Sequence, residues 1–196
     1  MNKAIKNLGP RQRLLETALN LFYSQGYLAT GINQVIEEAG VSKASFYDHF
    51  KSKEDLCVAY LQERHSRWSG WFKDKINEQK TPEDRFMAPI DFLDSWMEEC
   101  NFRGCAFLNI ASEVTDIQSN IRKEVIYHKD GLKAIIRGIT KDLKNSDTKY
   151  KKLDVEFITD AYYVLIEGAI VASQNYGEKW PIEAARKSIE KLIRKS

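Results

Sequence analysis

The chain has 196 residues, 43% hydrophobic and 30% charged, with a formal net charge of +2. This is a soluble globular balance, long enough for one or two domains with a real core and too near neutral to announce a nucleic-acid partner by itself. It excludes a membrane protein, since no run approaches the ~18 to 20 apolar residues of a span; it also excludes a disulfide scaffold, since Cys57, Cys100 and Cys105 form no paired framework and suit a reducing cytoplasm.

The first residues lack the apolar core of a secretory signal. They carry Lys3, Lys6, Arg11 and Arg13 with no acidic residue among the first 13, a basic arm that suits phosphate or a minor groove. Pro10 opens a first helix, a position proline favours, and Leu14, Leu15, Ala18, Leu19, Leu21 and Phe22 line it until Gly26. After a loop over 27–31, with Thr30 or Gly31 at the N-cap, Ile32, Val35, Ile36 and Ala39 fall at i, i+3, i+4 and i+7. Gly40 follows, where a helix end wants a residue that enters the left-handed region. Val41 anchors the turn and Ser42 caps the next helix. There Phe46 and Phe50, at i and i+4, turn inward, and Lys43, Ala44, Tyr47 and Asp48 face out. Ser52 is a further N-cap, with Asp55 three residues on and Lys53 beside the new helix start. Two short helices crossing at a tight turn, the second offering its tip, are the pattern of a helix-turn-helix. The small Ala44 and Ser45 permit close approach to base edges, Lys43 reaches a phosphate or a guanine, and the Tyr47 phenol can bond a phosphate.

The segments Leu15-Glu16-Thr17-Ala18-Leu19-Asn20-Leu21-Phe22, Gly26-Tyr27, Ala39-Gly40-Val41-Ser42, Phe46-Tyr47-Asp48-His49-Phe50 and Ser52-Lys53-Glu54-Asp55-Leu56 closely resemble the N-terminal domain of the tetracycline-repressor (TetR) family of bacterial transcription regulators. Two positions depart from the family pattern: Ile36, usually alanine, and Ala44, often glycine. The resemblance implies an all-α fold, with a three-helix DNA-binding domain over 1–55 and a helical effector-binding and dimerisation domain over 56–196. It puts Lys43, Ala44, Ser45 and Tyr47 nearest the bases of double-stranded operator DNA and Thr30, His49 and Lys53 on phosphates, with Asn33 and Gln34 as further contacts.

Past Lys53 a long helix carries Leu56, Val58, Ala59, Leu61, Trp68, Trp71, Phe72 and Ile76 and ends before Thr81-Pro82; as the one rod joining the two parts, it contains the domain boundary and acts as the lever. Further helices are predicted over 82–101, 105–114, 117–143 and 152–175 and from Pro181, with a polar loop over 145–152. Gly168, Ala169 and Ala172 make a flat patch for another helix, and the resemblance implies a homodimer through the last two helices. A head that reads about half a turn of groove gains useful affinity from a twin on a palindrome.

Cys105, Asn109 and Glu113, at i, i+4 and i+8, form a polar stripe that needs water, a polar neighbour or a ligand. A glycine-cysteine start with this spacing resembles a subgroup of the family in which the cysteine is thought to sense electrophiles. Reactivity requires a stabilised thiolate, from a helix start or a cation such as Arg103; buried free cysteines are more often inert. Trp68, Phe72, Trp96, Phe107, Tyr162 and Tyr163 could line an effector pocket or be plain core, and Glu167, set in an apolar run, must face a polar partner or a cavity. His49, His65 and His128 match no metal spacing, and there is no phosphate loop or nucleophile elbow, so neither metal, cofactor nor enzyme activity is expected. The expected function is a cytoplasmic, ligand-responsive regulator, most simply a repressor released by an unknown small-molecule effector. The alternative is a helical small-molecule-binding protein or enzyme with a vestigial head, whose only catalytic candidates are Cys105, Asn109 and Glu113.

Overall fold

The computed structural model describes residues 7–194, so Lys3 and Lys6 of the basic arm lie outside the described residues. Among those residues there are nine α-helices and no strand: α1 (Pro10–Ser24), α2 (Ile32–Ala39), α3 (Lys43–His49), α4 (Lys53–Asn77), α5 (Pro82–Glu99), α6 (Ala106–Glu113), α7 (Asn120–Ser146), α8 (Val155–Tyr176) and α9 (Trp180–Arg194). They form two compact units. One comprises Met1–Arg67 with Ala106–Tyr127, the other Trp68–Cys105 with His128–Ser196. The chain passes from one unit to the other within α4, within α7 and at the start of α6.

In the first unit α1 packs against α2 and α3, burying Leu14, Ala18, Leu21 and Phe22. Gly40 ends α2 in the left-handed conformation (φ 62°), which lets its N–H and that of Val41 bond back to the Glu37 and Ile36 carbonyls. Ser42 Oγ accepts from Ser45 N–H at 3.1 Å to start α3, and Ser52 Oγ accepts from Asp55 N–H at 3.0 Å to start α4. Phe46 is wholly buried and Phe50 nearly so; full burial of one such ring contributes roughly 1.5 to 3 kcal/mol. Arg67 on α4 reaches Glu16 on α1 at 2.6 Å and Glu63 at 2.7 Å. The link from α6 to α7 is held at both ends. Leu28 N–H donates to Glu113 Oε2 at 2.6 Å, and Asn120 N–H donates to Glu54 Oε1 at 3.1 Å.

In the second unit α8 packs on α9 and both pack on α5, enclosing Phe86, Ile90, Leu93, Met97, Ile166, Ile182, Ala185 and Ile189. Thr81 caps α5 by accepting from Asp84 N–H, and the helix continues through Pro89. Asp154 caps α8 with bonds from the Glu156 and Phe157 N–H groups. Arg186 pairs with Asp91, Lys179 with Asp94 and Glu98, Lys133 with Asp160 and Arg137 with Glu156.

Two local expectations are corrected. The loop over 145–152 contains a 3-10 turn, Thr148–Tyr150, that buries the Tyr150 ring; one aromatic gives no periodicity to read. In the small-residue patch on α8, Ala169 is buried in its own unit while Gly168 is exposed. The exposed apolar stripe runs instead through Phe157, Val164 and Val171, seven residues apart, with Gly168 between the valines.

Candidate functional site

The tip of α3 is open. Lys43, Ala44, Tyr47, Asp48 and His49 are exposed and Ser45 is half-buried. Lys43, Ala44 and Tyr47 share one face by helical spacing. The Tyr47 ring stands edge-on against Phe46, centroids 5.1 Å apart. A fully buried phenylalanine therefore fixes the root of an exposed tyrosine, leaving its hydroxyl free to meet another surface. Arg11 lies over the Phe50 ring at 5.3 Å, so the described part of the basic arm sits beside α3.

Lys53, at the first position of α4, is set over the Tyr27 ring with its Nζ 4.3 Å from the centroid. Burial lowers its pKa, against the pull of Cys57 and Glu113. Burial, then Cys57, Glu54 and Glu113, pushes the Tyr27 phenol up to about 12. Burial also drives the Cys57 thiol far above its ordinary range, so this cysteine is a core residue. Asn33 is exposed, and the Gln34 amide is shared between Gln25 at 3.1 Å and Glu38 at 3.0 Å.

Thr30 is a correction. It is completely buried, and its hydroxyl donates to the Gly26 carbonyl at 2.7 Å. It braces the turn before α2 and presents nothing to a phosphate.

In the second unit Cys105 is buried directly ahead of α6. The approach to it is a left-handed turn: Asn101 has φ 49°, Phe102 φ 55° and Gly104 φ 76°. At φ 76° Gly104 adopts a conformation that L side chains rarely take, and a Cβ there would displace the Gln174 amide, so glycine is favoured at this position. Lys129 Nζ donates to Cys105 Sγ at 3.6 Å and to Glu167 Oε1 at 2.7 Å. Glu167 thus has a polar partner. Burial, the largest single influence on Lys129, opposes its charge; Cys105 and Glu167 together outweigh it and hold its pKa above the usual 10.5. Tyr163 is half-buried nearby, its phenol pushed up by burial and then by Glu167. Lys129 carried no signal in the sequence, because it lies 24 residues from Cys105 and 38 from Glu167.

Of the remaining expected pocket residues, Trp68, Phe72 and Trp96 gather around Phe92, whereas Tyr162, Phe107, Asn109 and Glu113 lie elsewhere. Trp68 stacks on Phe72 (4.5 Å) and meets the His128 ring edge-on (4.9 Å). Phe92 lies edge-on to Phe72 (5.4 Å) and parallel to Trp96 (6.3 Å). Tyr162 is a correction: it is wholly buried, its hydroxyl donating to the Phe86 carbonyl at 2.8 Å, and is core. Phe107 is buried and Asn109 half-buried in the first unit. Glu113 is a correction as well, since its carboxylate holds Leu28 N–H and does not join Cys105. No group of His, Cys, Asp and Glu among the described residues could hold a metal ion, and no described helix is long and apolar enough to cross a membrane.

Comparison with known proteins finds two matching family models: bacterial regulatory proteins, tetR family, over residues 14–60, and the tetracyclin repressor-like C-terminal domain over residues 82–189, more than half of the chain. The HTH-type transcriptional repressor NemR of Escherichia coli (strain K12) is 25% identical over 147 residues, covering 74% of this chain and 72% of NemR. The HTH-type transcriptional repressor DhaR of Mycobacterium sp. (strain GP1) is 25% identical over 183 residues, covering 88% of this chain and 86% of DhaR. The crystal structure of SCO4454, a TetR-family transcriptional regulator from Streptomyces coelicolor, has the same fold, with a TM-score of 0.83 at 24% identity over 94% of each chain.

Proposed function

The chain belongs to the tetR family of bacterial regulatory proteins and is a DNA-binding transcriptional regulator, and from that premise we propose that it is a homodimeric repressor released by a small-molecule effector. The observation that carries the reading is the open tip of α3, with Lys43, Ala44 and Tyr47 exposed on one face above the buried Phe46. Lys43, Ala44, Ser45 and Tyr47 read the major groove; His49, Lys53 and Arg11 hold phosphates, with Asn33 at the margin. Thr30 is left out because its hydroxyl is consumed internally. The two relatives named as repressors support the sign of regulation.

Dimerisation uses α8 and α9. Phe157, Val164 and Val171 leave 63%, 65% and 43% of their surface uncovered, and Tyr176 and Trp180 at the α8–α9 junction leave 64% and 49%. A lone chain has little reason to keep so much apolar surface in one stripe, and a two-fold mate would cover it. The effector acts at Cys105, whose thiol is reached by the Lys129 ammonium. A cation at the sulfur is the kind of neighbour found beside nucleophilic cysteines, so an electrophile that alkylates Cys105 fits the contact with Lys129. Effector binding favours a state whose heads no longer match successive major grooves, with a coupling on the order of 1 to 3 kcal/mol, roughly 5- to 150-fold in operator affinity.

The test is fluorescence anisotropy with duplexes from the DNA upstream of the coding region. The wild-type protein should select one fragment. Tyr47→Ala should bind it at least about 5-fold more weakly, the loss expected for a specific contact, with its helicity and dimer mass unchanged. Equal affinity for every fragment, or an unaffected Tyr47→Ala, overturns the reading.

A further inference from the structure

The second unit carries a groove of about 410 Å³ between the second half of α4 and α5 that shares no residue with the Cys105 cluster. Each helix contributes the same kind of row. Trp71 and Asp74 on α4 and Glu78 directly past its end fall at i, i+3 and i+7; on α5, Phe92, Trp96 and Glu99 fall at i, i+4 and i+7. Those spacings bring each row onto one helical face. The aromatic part is held by packing: Phe92 and Trp96 lie nearly parallel, 14° apart, and Phe92 is braced edge-on by Phe72 and Trp68. Trp71, by contrast, leaves 56% of its surface uncovered.

The charges are the second observation. On α5 the neighbouring acids are committed, Asp91 to Arg186 and Asp94 and Glu98 to Lys179. Asp74, Glu78 and Glu99 make no ion pair among the described residues. Against these three carboxylates the groove sets the single ammonium of Lys75. Indole faces attract cations and repel anions, and the unpaired carboxylates add to that preference. The volume lies within the range of small-molecule sites, which are generally of the order of 300–1,000 Å³.

We propose that this groove binds a hydrophobic organic cation, a quaternary ammonium, phosphonium or aromatic ammonium compound, between Trp71 and Trp96 with its charge toward Asp74, Glu78 and Glu99. The cation displaces water from the indole faces and meets three carboxylates that have no ion pair to give up among the described residues. The site goes beyond the operator reading and does not depend on it, because binding is measured without DNA.

Tetraphenylphosphonium and tetraphenylborate, matched in size and opposite in charge, are titrated into the full-length protein by isothermal calorimetry. The phosphonium should bind at one per chain and the borate should not compete for it. Trp71→Ala should weaken the cation by about 5-fold or more, the scale of one desolvated cation–π contact. The triple variant Asp74→Asn, Glu78→Gln, Glu99→Gln should lose the preference for cation over anion. All four positions are exposed, so both variants should keep wild-type helicity and operator affinity, which separates failure of this site from failure of the regulator. Equal binding of the borate, or phosphonium binding untouched by both variants, overturns the proposal.

Discussion

Val164→Lys is the sharpest perturbation of the proposed dimer. Val164 keeps 65% of its surface uncovered at the middle of the Phe157–Val171 stripe on α8. Full burial of a valine contributes roughly 1.5 to 3 kcal/mol, so the uncovered share represents about 1 to 2 kcal/mol in each chain. A two-fold interface contains the residue twice, which raises the loss to about 2 to 4 kcal/mol before any cost of desolvating the ammonium. The dimer dissociation constant should therefore rise by at least about 30-fold, and as much as about 1,000-fold. Sedimentation velocity over a concentration series reads this directly. Leu28→Lys, at an equally exposed position in the loop before α2, should leave the dimer intact and serves as the control. Operator affinity should fall with dimerisation, since each head covers only half of a palindrome. If Val164→Lys sediments as the wild-type dimer across the series, the stripe is not the interface.

Two further substitutions separate residues that the sequence alone would group together. Lys53→Ala should weaken binding to all duplexes alike and reduce the slope of log affinity against log salt by about two units, as loss of one phosphate contact from each head of the dimer requires; a changed sequence preference would contradict the assignment. Thr30→Val should leave that slope unchanged but lower the urea midpoint, by about 1 to 2 kcal/mol of stability, because it removes the buried bond to the Gly26 carbonyl; a changed salt slope with normal stability would return Thr30 to the DNA surface.

The contrast between these two residues shows what local sequence can carry. The bounds of α2, α3 and the start of α4 were legible because each is marked by a residue with a single backbone role, Gly40 in a left-handed turn and Ser42 and Ser52 as acceptors for orphan N–H groups. A threonine in a polar loop has no such mark. Its hydroxyl serves a phosphate or its own chain equally well, and here the carbonyl four residues back decides. Small residues on α8 are similarly mute, because alanine suits a core and a helix contact alike. Ala169 went inward and left the larger Phe157, Val164 and Val171 as the exposed stripe. Lys129 was invisible because what matters about it is distance in space from Cys105 and Glu167.

The polar stripe of α6 makes the same point with a mechanistic consequence. Cys105, Asn109 and Glu113 are one row by spacing, yet partners are required only group by group. Cys105 at the head of the row meets Lys129, and Glu113 at its foot holds Leu28 N–H in the loop that leads to α2. Eight helical residues, roughly 12 Å at 1.5 Å each, join the proposed alkylation site at Cys105 to the loop that leads to α2. A displacement of the head of α6 on alkylation can then be delivered to the loop only as strongly as the Glu113 bond grips it, about 1 to 2 kcal/mol for a partly exposed bond to a charged acceptor. That is enough for a coupling of about 5- to 30-fold. Glu113→Ala should therefore uncouple the response. Treated with N-ethylmaleimide in a Cys100→Ser background, which removes the less buried free thiol, it should still gain one adduct at Cys105 by mass spectrometry, as the protein with Glu113 intact should and Cys105→Ser should not. Its operator affinity should barely change, whereas the modified protein with Glu113 intact should release DNA. If alkylated Glu113→Ala releases the operator as readily as the alkylated protein with Glu113 intact, the signal does not pass through this bond.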